Sequence, residues 1–215
     1  MRDQTSGIES HETAFGGGRD SSQSIAAALG PLPPDAKAGT LEPWNLMVPT
    51  GYYPVMQFES VRLEIPDNAN VIVGQTHFIK TVEDLYEAIV TAVPQMKFGV
   101  AFNEASGPCL TRVEGNDEML RTVAARNATA IGAGHVFVVV LRDGFPINVL
   151  GRIKDVPEVC SVFCATANPV EVVVAQTAQG RGVMGVIDGS SPAGVEGSED
   201  ATKRHQFLRA IGYKR

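Results

Sequence analysis

A histidine and a lysine lie close together in Gly74–Thr81, a short segment that joins a predicted strand to a predicted helix. An imidazole nitrogen is a nucleophile that can carry a phosphoryl group, and the ammonium group of a lysine offsets the charge on the phosphoryl oxygens. These two residues are His77 and Lys80, and Gln75 and Thr76 precede them. The free N–H groups and the dipole at the start of a helix also favour anions. The segment therefore predicts a site that holds or accepts a phosphoryl group.

Two further glycine-containing turns carry polar side chains. His135 ends the turn Gly132–His135, between a predicted helix and a strand, and Arg181 lies in Gln179–Val183, between two predicted strands. Neither turn fits the P-loop pattern or the dinucleotide fingerprint. Ligands of open α/β sheets gather at the carboxyl ends of strands, and His135 begins its strand, so we expect it at the edge opposite His77. A core histidine is the alternative for His135, and simple backbone geometry is the alternative for the glycine turns.

Polar residues also follow the remaining predicted strands. Asp143 and Asn148 come after the most apolar strand, Asn168 follows the next one, and Asp188 follows a third. Carboxylate oxygens are suitable Mg²⁺ ligands, and phosphoryl transfer usually requires this ion, so Asp143 and Asp188 are candidate metal ligands. Aspartates of ordinary surface turns are the alternative. No serine lies in a Gly-x-Ser-x-Gly elbow, so nothing supports a serine hydrolase.

The elements that must position these residues follow from hydrophobic periodicity. Alternating or continuous apolar runs predict strands, and apolar residues at helical spacing after a capping residue predict helices. The order β-β-α-β-β-α-β-α-β-β-β-α favours an α/β domain in which helices cover a mixed β-sheet, in a three-layer-like arrangement. The predicted strands are Phe58–Ile65, Val71–Val73, Lys97–Glu104, Cys109–Val113, His135–Leu141, Val159–Thr166, Val170–Gln176 and Val183–Ile187, and the predicted helices begin at Thr81, at Asn116 or Asp117, within Phe145–Val156 and at Ser198.

Composition separates this domain from the first part of the chain. Six of the 13 prolines lie in residues 1–55, together with a Gly16–Gly18 run and a serine-rich stretch. Such a segment cannot bury enough apolar surface to offset its ordering entropy. We therefore expect a flexible, disordered extension over residues 1–55 and a folded domain over residues 56–215. Trp44 and its neighbours could dock on the domain or on a partner, and a partly ordered linker is the alternative.

The overall charge and hydropathy limit the function further. The 215 residues are 44% hydrophobic and 20% charged, with a net charge of −6. A nucleic-acid-binding protein needs a basic face, so we expect no nucleic acid partner. No stretch approaches the ~18 apolar residues of a membrane span, and the acidic N-terminal segment is unlike a secretory or organellar leader. We expect a cytoplasmic protein that does not bind membranes.

The three cysteines indicate neither disulfides nor a metal centre. Cys109 stands alone, and Cys160 and Cys164 lie in an apolar run. An odd count in apolar surroundings favours buried, reduced thiols, and a zinc site would need a second pair of ligands nearby.

Several collinear segments together resemble the adenosine-specific kinase family, over about residues 58–215. The resemblance implies a compact α/β domain that assembles as a homotrimer or a dimer of trimers. It also implies binding of adenosine and adenine nucleotides (ATP, ADP or AMP) and a histidine that carries a phosphoryl group. His77 and His135 both match motifs of the family, and the position of His77 after a strand end favours His77. The segments are 70–87, 97–107, 132–139, 144–150, 157–160, 163–172 and 179–182.

The leading hypothesis is therefore phosphoryl transfer involving adenosine or its nucleotides, with an expected Mg²⁺. An imidazole would act as nucleophile, Lys80 and Arg181 would offset negative charge, and Asn148 and Asn168 would hydrogen-bond the adenine or the ribose. This hypothesis predicts that these loops converge on one cleft. A non-catalytic AMP or adenosine sensor would use the same loops, and a structural assembly domain is the third alternative.

Overall fold

The computed structural model describes residues 56–215, and the predicted extension over residues 1–55, with Trp44, lies outside the described residues. The described part contains eight strands and four helices in the predicted order. These are β1 (Gln57–Arg62), β2 (Asn70–Thr76), α1 (Thr81–Ala92), β3 (Lys97–Asn103), β4 (Thr111–Gly115), α2 (Glu118–Ile131), β5 (Val136–Arg142), α3 (Pro146–Lys154), β6 (Val159–Thr166), β7 (Val170–Gln176), β8 (Arg181–Asp188) and α4 (Ser198–Ala210).

The strands form two sheets that pack as parts of one α/β domain. A five-stranded sheet has the order β4-β3-β5-β2-β6, and a three-stranded sheet has the order β1-β7-β8. The α/β class with covering helices is confirmed, but every named pair of neighbouring strands is antiparallel, not mixed. The apolar run of β5 lies at the centre of the larger sheet and is buried on both faces. This antiparallel pairing decides which strand ends meet at each edge.

Alternating side chains of the five-stranded sheet feed two separate cores. On one face Phe98, Phe137 and their neighbours pack against α1 and α3. On the other face Val73, Val138 and their neighbours pack against α2 and the inner face of the three-stranded sheet. The domain is therefore built in three layers, with the large sheet in the middle.

Strand β2 is longer than predicted, because Gly74 does not end it. The glycine lies inside the strand, where a Cβ atom would come within 2.5 Å of the Phe137 ring and of the Ser161 carbonyl oxygen. A residue without a Cβ is needed there for close packing and not for a turn. Gln75 and Thr76 consequently belong to the strand, and the loop before α1 begins only at His77.

Two of the three cysteines differ from the prediction. Cys109 and Cys160 are exposed, and only Cys164 is buried. Cys109 lies on an exposed turn, and Cys160 points outward from β6, at the edge of its sheet, so neither has an apolar layer above it. Burial raises the pKa of the Cys164 thiol to about 11. Within residues 56–215, no helix is both long enough and apolar enough to cross a bilayer.

Candidate functional site

The two candidate histidines lie at the same edge of the five-stranded sheet. Strands β2 and β5 are antiparallel, with Gln75 opposite Val136, so the end of β2 meets the beginning of β5. The backbone N–H of Thr76 donates to the carbonyl oxygen of His135 at 2.9 Å, and His77 is the next residue. The expectation that His135 lies at the opposite edge is wrong, because the rule behind it holds for parallel strands. We call this edge the histidine edge.

His135 is held in an unusual backbone conformation. Helix α2 ends at Gly132, and three residues later His135 has φ 61°, in the left-handed region that non-glycine residues rarely adopt. Its N–H donates to the carbonyl oxygen of Asn103 at 2.7 Å, and its ring stacks on Phe102 with 5.8 Å between centroids. The residue is half-buried, so it is neither a fully enclosed core histidine nor a freely exposed one.

His77 is exposed on the loop that leads from β2 into α1. The helix begins at Thr81 as predicted, but the N-cap residue is Lys80. The amides of Glu83 and Asp84 donate to the Lys80 carbonyl oxygen, and the amide of Thr81 donates to the carbonyl oxygen of Phe78. Several N–H groups at this helix start are therefore already satisfied within the chain, which weakens the predicted anion site.

Lys80 is a paired cation. Its Nζ contacts a carboxylate oxygen of Asp84 and lies 2.6 Å from Oε1 of Glu158. The hydrogen bond from Lys80 lowers the pKa of the Glu158 carboxyl, and its bonds to both acids raise the pKa of Lys80. Glu158 is buried, and its Oε2 has no hydrogen-bond partner within residues 56–215. Lys80 could therefore bind a phosphoryl group only by exchanging these carboxylates for it.

A cleft of about 670 Å³ opens beside the turn that carries His135. Arg181 forms part of its wall, and its guanidinium donates to the carbonyl oxygens of Ala130 (2.9 Å) and Ile131 (3.1 Å) and contacts Glu59. Arg181 thus caps the C-terminus of α2 through these two carbonyl groups and also lines the cleft. The cleft is lined by Asn103, Glu104, Ala105, Cys109, Thr111, Thr129, Gly132, Gly134, Ala175, Thr177, Gln179, Gly180, Arg181 and Gly182.

Six polar or acidic residues that line this cleft were not predicted as site residues. Their signal was present in part, because Asn103 and Glu104 end the predicted strand Lys97–Glu104 and Gln179 lies in the same glycine turn as Arg181. Thr129 lies on a helix and carries no comparable signal. The six residues are Asn103, Glu104, Thr111, Thr129, Thr177 and Gln179.

The remaining predicted site residues lie at the opposite edge of the sheet. Asp143 follows the last residue of β5, Asn168 follows β6, and the Asn168 amide donates to Asp188 at 3.0 Å. Oδ1 of Asn148 accepts a hydrogen bond from the N–H of Phe145 at 2.9 Å and so caps α3. The seven residues of β2 separate the two edges by roughly 20 Å. The expectation of one shared cleft is therefore wrong within a single chain.

This placement also bears on the expected metal. Asp143 and Asp188 do not fit a Mg²⁺ ion that acts at the histidines of the same chain, because they lie at the other edge. Within residues 56–215, no group of three or more His, Cys, Asp or Glu side chains is arranged to hold a metal ion.

Comparisons with known proteins agree with the resemblance. A family model described as adenosine specific kinase matches residues 61–214. A solved structure, the crystal structure of the PH1918 protein from Pyrococcus horikoshii, is 46% identical with a TM-score of 0.73, over 75% of this chain and 99% of that chain. The comparison with curated proteins found no match. The family match covers more than half of the chain, and the structural relative is close in sequence, so this chain belongs to the adenosine-specific kinase family.

Proposed function

We propose that this protein is a phosphotransferase that binds an adenine nucleotide at the histidine edge and passes its phosphoryl group to adenosine through a histidine. The observation that carries the proposal is the hydrogen bond between Thr76 and the His135 carbonyl, since it joins the two histidine-bearing turns at one edge. The 670 Å³ cleft beside the His135 turn is of the size that small-molecule sites have. The family supports adenosine as the ligand.

His77 is the proposed nucleophile, because its side chain is exposed while that of His135 is half-buried against Phe102. An imidazole nitrogen attacks the terminal phosphorus, the N–P bond forms, and the P–O bond breaks with its electron pair leaving on the nucleotide oxygen. The 5′-hydroxyl oxygen of adenosine then attacks the same phosphorus. The N–P bond breaks, and the freed imidazole takes up the hydroxyl proton.

Two of the cations that the structure describes at this edge, Arg181 and Lys80, were predicted to act on the phosphoryl group. Arg181 lines the cleft, and Lys80 is one helical turn from its partner Asp84. A positive charge near the phosphoryl oxygens would stabilise the charge that develops during transfer. In this proposal both cations act by exchange: the incoming phosphoryl group replaces Glu59 at Arg181, and it replaces the two carboxylates at Lys80.

The test is labelling of the full chain with nucleotide carrying a labelled terminal phosphate. We expect acid-labile label on the protein, its loss in His77→Ala, and its transfer to added adenosine. His135→Ala tests the second candidate, and His205→Ala, on the exposed helix α4, is the matched control that keeps the label. Label that survives in both His77→Ala and His135→Ala would overturn the proposal.

A nucleotide sensor without turnover is the second candidate function. The double pairing of Lys80 with Asp84 and Glu158 favours it, because a lysine held by two carboxylates is poorly placed to stabilise the charge that develops during phosphoryl transfer. Calorimetry with AMP beside an adenosine phosphorylation assay separates the two functions. Saturable binding without product at any divalent ion would support the sensor.

The homotrimer or dimer of trimers that the family resemblance implies is part of the proposal. Sedimentation of the full chain would measure it. A second copy matters here because it could bring the Asn148 and Asn168 edge of one chain towards the histidine edge of another.

A further inference from the structure

The carboxylate of Glu158 is buried and depends on one cation. Its side chain is only 7% exposed, and its Oε1 lies 2.6 Å from Nζ of Lys80. Its Oε2 is buried without a hydrogen-bond partner within residues 56–215. Carboxylates are almost never fully buried unless they are paired, so the ammonium group of Lys80 is what stabilises the charged form of Glu158.

A second carboxylate shares the same lysine. Nζ of Lys80 also contacts the carboxylate of Asp84, one helical turn along α1. Because both carboxylates contact one nitrogen atom, they lie close to each other, and they repel when the cation leaves. The side chain of Asp84 is 24% exposed and can be solvated, whereas that of Glu158 is buried. Loss of Lys80 therefore disfavours the charge on Glu158 most.

The exchange of partners at Lys80 has a consequence for the protons of this cluster. When a phosphoryl group takes Lys80, Glu158 remains buried beside the carboxylate of Asp84. Two carboxylates in one site hold a proton between them, because both cannot stay ionised. In the ion pair, the hydrogen bond from Lys80 lowers the pKa of Glu158 and burial raises it. Without Lys80 the effect of burial remains, and it favours the protonated form.

We propose that Glu158 takes up one proton from the solvent each time Lys80 turns to a bound phosphoryl group, and releases it when Lys80 returns. The proton binds to a carboxylate oxygen, and no other covalent bond forms or breaks in this step. Glu158 does not touch the phosphoryl group, so it is a positioning residue that controls the release of Lys80. Its part in catalysis rests on the proposed function, whereas the uptake on binding does not require turnover.

The other ionisable groups near Glu158 do not take the place of Lys80. Among residues 56–215, Lys80 is the cation that pairs with this carboxylate. Arg152 and Asp155 line, with Asp84, a cavity of about 380 Å³ beside Pro157, the residue before Glu158. The ionisable groups around Glu158 are Lys80, Asp84 and Glu87 of α1 and its N-cap, Arg152 and Asp155 at the end of α3, His77 in the loop after β2, and Cys160 of β6.

Calorimetric titration of the full chain with ATP measures the uptake. Titrations at about pH 6 in two buffers with different heats of ionisation give the number of protons bound per nucleotide. We expect the unaltered chain to bind about one proton more than Glu158→Gln does. Proton changes on the phosphate itself occur in both chains and cancel. Glu83→Gln is the matched control, because it removes an exposed charge from the first turn of α1 and should keep the uptake.

The pH dependence of ATP affinity is a second measurement, and a merely structural role would not change it. As the pH falls from about 8 to about 6, the affinity of the unaltered chain should rise relative to that of Glu158→Gln, by at most about tenfold per pH unit. At the higher pH Glu158→Gln should bind ATP more tightly, because the exchange leaves no buried charge unpaired. Equal proton counts in these two chains, or an equal loss of uptake in Glu83→Gln, would overturn the proposal.

A measurement without ligand tests the same step even if ATP binds weakly. Lys80→Gln removes the cation permanently, so its infrared spectrum at about pH 6 should contain the carbonyl band of a protonated carboxyl group. The band should be missing when Glu158→Gln is added, and its absence in Lys80→Gln alone would refute the proposal. Histidine labelling reports on the proposed function independently. Proton uptake without label refutes only the phosphotransferase, whereas label with equal proton counts refutes only the role of Glu158.

Discussion

Replacing Asn103 by alanine should destabilise the domain and loosen the turn that holds His135. The Asn103 side chain is buried where β3 ends, between the last turn of α2 and the beginning of β4. Its Nδ2 donates to the carbonyl oxygens of Ala128 (2.7 Å) and Ala133 (3.0 Å), and its Oδ1 accepts from the Thr111 hydroxyl at 2.9 Å. One side chain thus fixes the two ends of the turn that leads into His135.

The expected magnitude follows from these three hydrogen bonds. Leaving a buried polar group without its hydrogen-bond partner lowers the free energy of unfolding by about 1–3 kcal/mol. Losing a hydrogen bond whose remaining partner can bind water lowers it by about 0.5–1.5 kcal/mol. Asn103 also lines the cleft, so water can reach part of the space that the variant leaves. We therefore expect Asn103→Ala to lower the free energy of unfolding by about 2–4 kcal/mol. Thr111→Val removes only one of the three bonds and should lower it by about 1 kcal/mol.

Urea unfolding of the full chain, followed by circular dichroism, measures both variants. A lower midpoint with an unchanged slope would show a loss of stability without a change in the surface exposed on unfolding. A loss of less than about 1 kcal/mol in Asn103→Ala, or a loss no larger than that of Thr111→Val, would show that the amide does not hold the turn.

Three other variants or measurements test separate parts of the fold. Gly74→Ala should lower the free energy of unfolding by about 3 kcal/mol or more, because the new Cβ would lie 2.5 Å from a phenylalanine ring and a carbonyl oxygen. Gly151→Ala is the control, since this helix position has open space around it and alanine there should raise the thermal midpoint. Equal thermal midpoints for the two variants would refute this prediction. Because Lys80 holds the pKa of Glu158 below its ordinary value of 4.5, the unfolded state takes up the proton first as pH falls, so the free energy of unfolding should decline below about pH 5 and through the lowered pKa. Glu158→Gln should flatten that decline in urea titrations at several pH values, and an unchanged decline would contradict the assignment. An aromatic disulfide reagent at pH 8 should titrate the two exposed thiols of the native chain and reach Cys164 only after denaturation; a third fast thiol would show that Cys164 is accessible.

The sequence predicts the elements of this fold well because its periodicity is strong. The apolar run of β5 and the helical spacing that follows Thr81 each have one simple structural explanation, and both are found. The role of Gly74 is harder to predict, because a single sequence does not distinguish a glycine inside a strand from a glycine at a strand end. Only the ring of Phe137, more than 60 positions away, shows that it lies inside the strand.

The sequence predicts individual residues of the candidate site, but it does not predict which of them lie close together. His77 and His135 were identified from their turns, yet their adjacency depends on the pairing of β2 with β5. Asn148 and Asn168 were assigned to the same cleft, but local hydrogen bonds hold them at the far edge. The direction of a strand relative to its neighbours depends on how each helix returns the chain to the sheet. The periodicity of side chains along one strand therefore does not predict it.

The separation of the two edges constrains how the predicted site residues can work together. Reacting atoms must approach to about 3–3.5 Å for a phosphoryl group to move between them. The length of β2 places the histidine edge and the edge of Asn148 and Asn168 roughly 20 Å apart in one chain, and packed sheets do not shorten by such a distance. A nucleoside held by Asn148 and Asn168 can therefore accept a phosphoryl group only from the histidine of another copy. Association of the chains is then a requirement of the reaction itself, and a strictly monomeric enzyme with full activity would exclude these two asparagines as ligands of the acceptor.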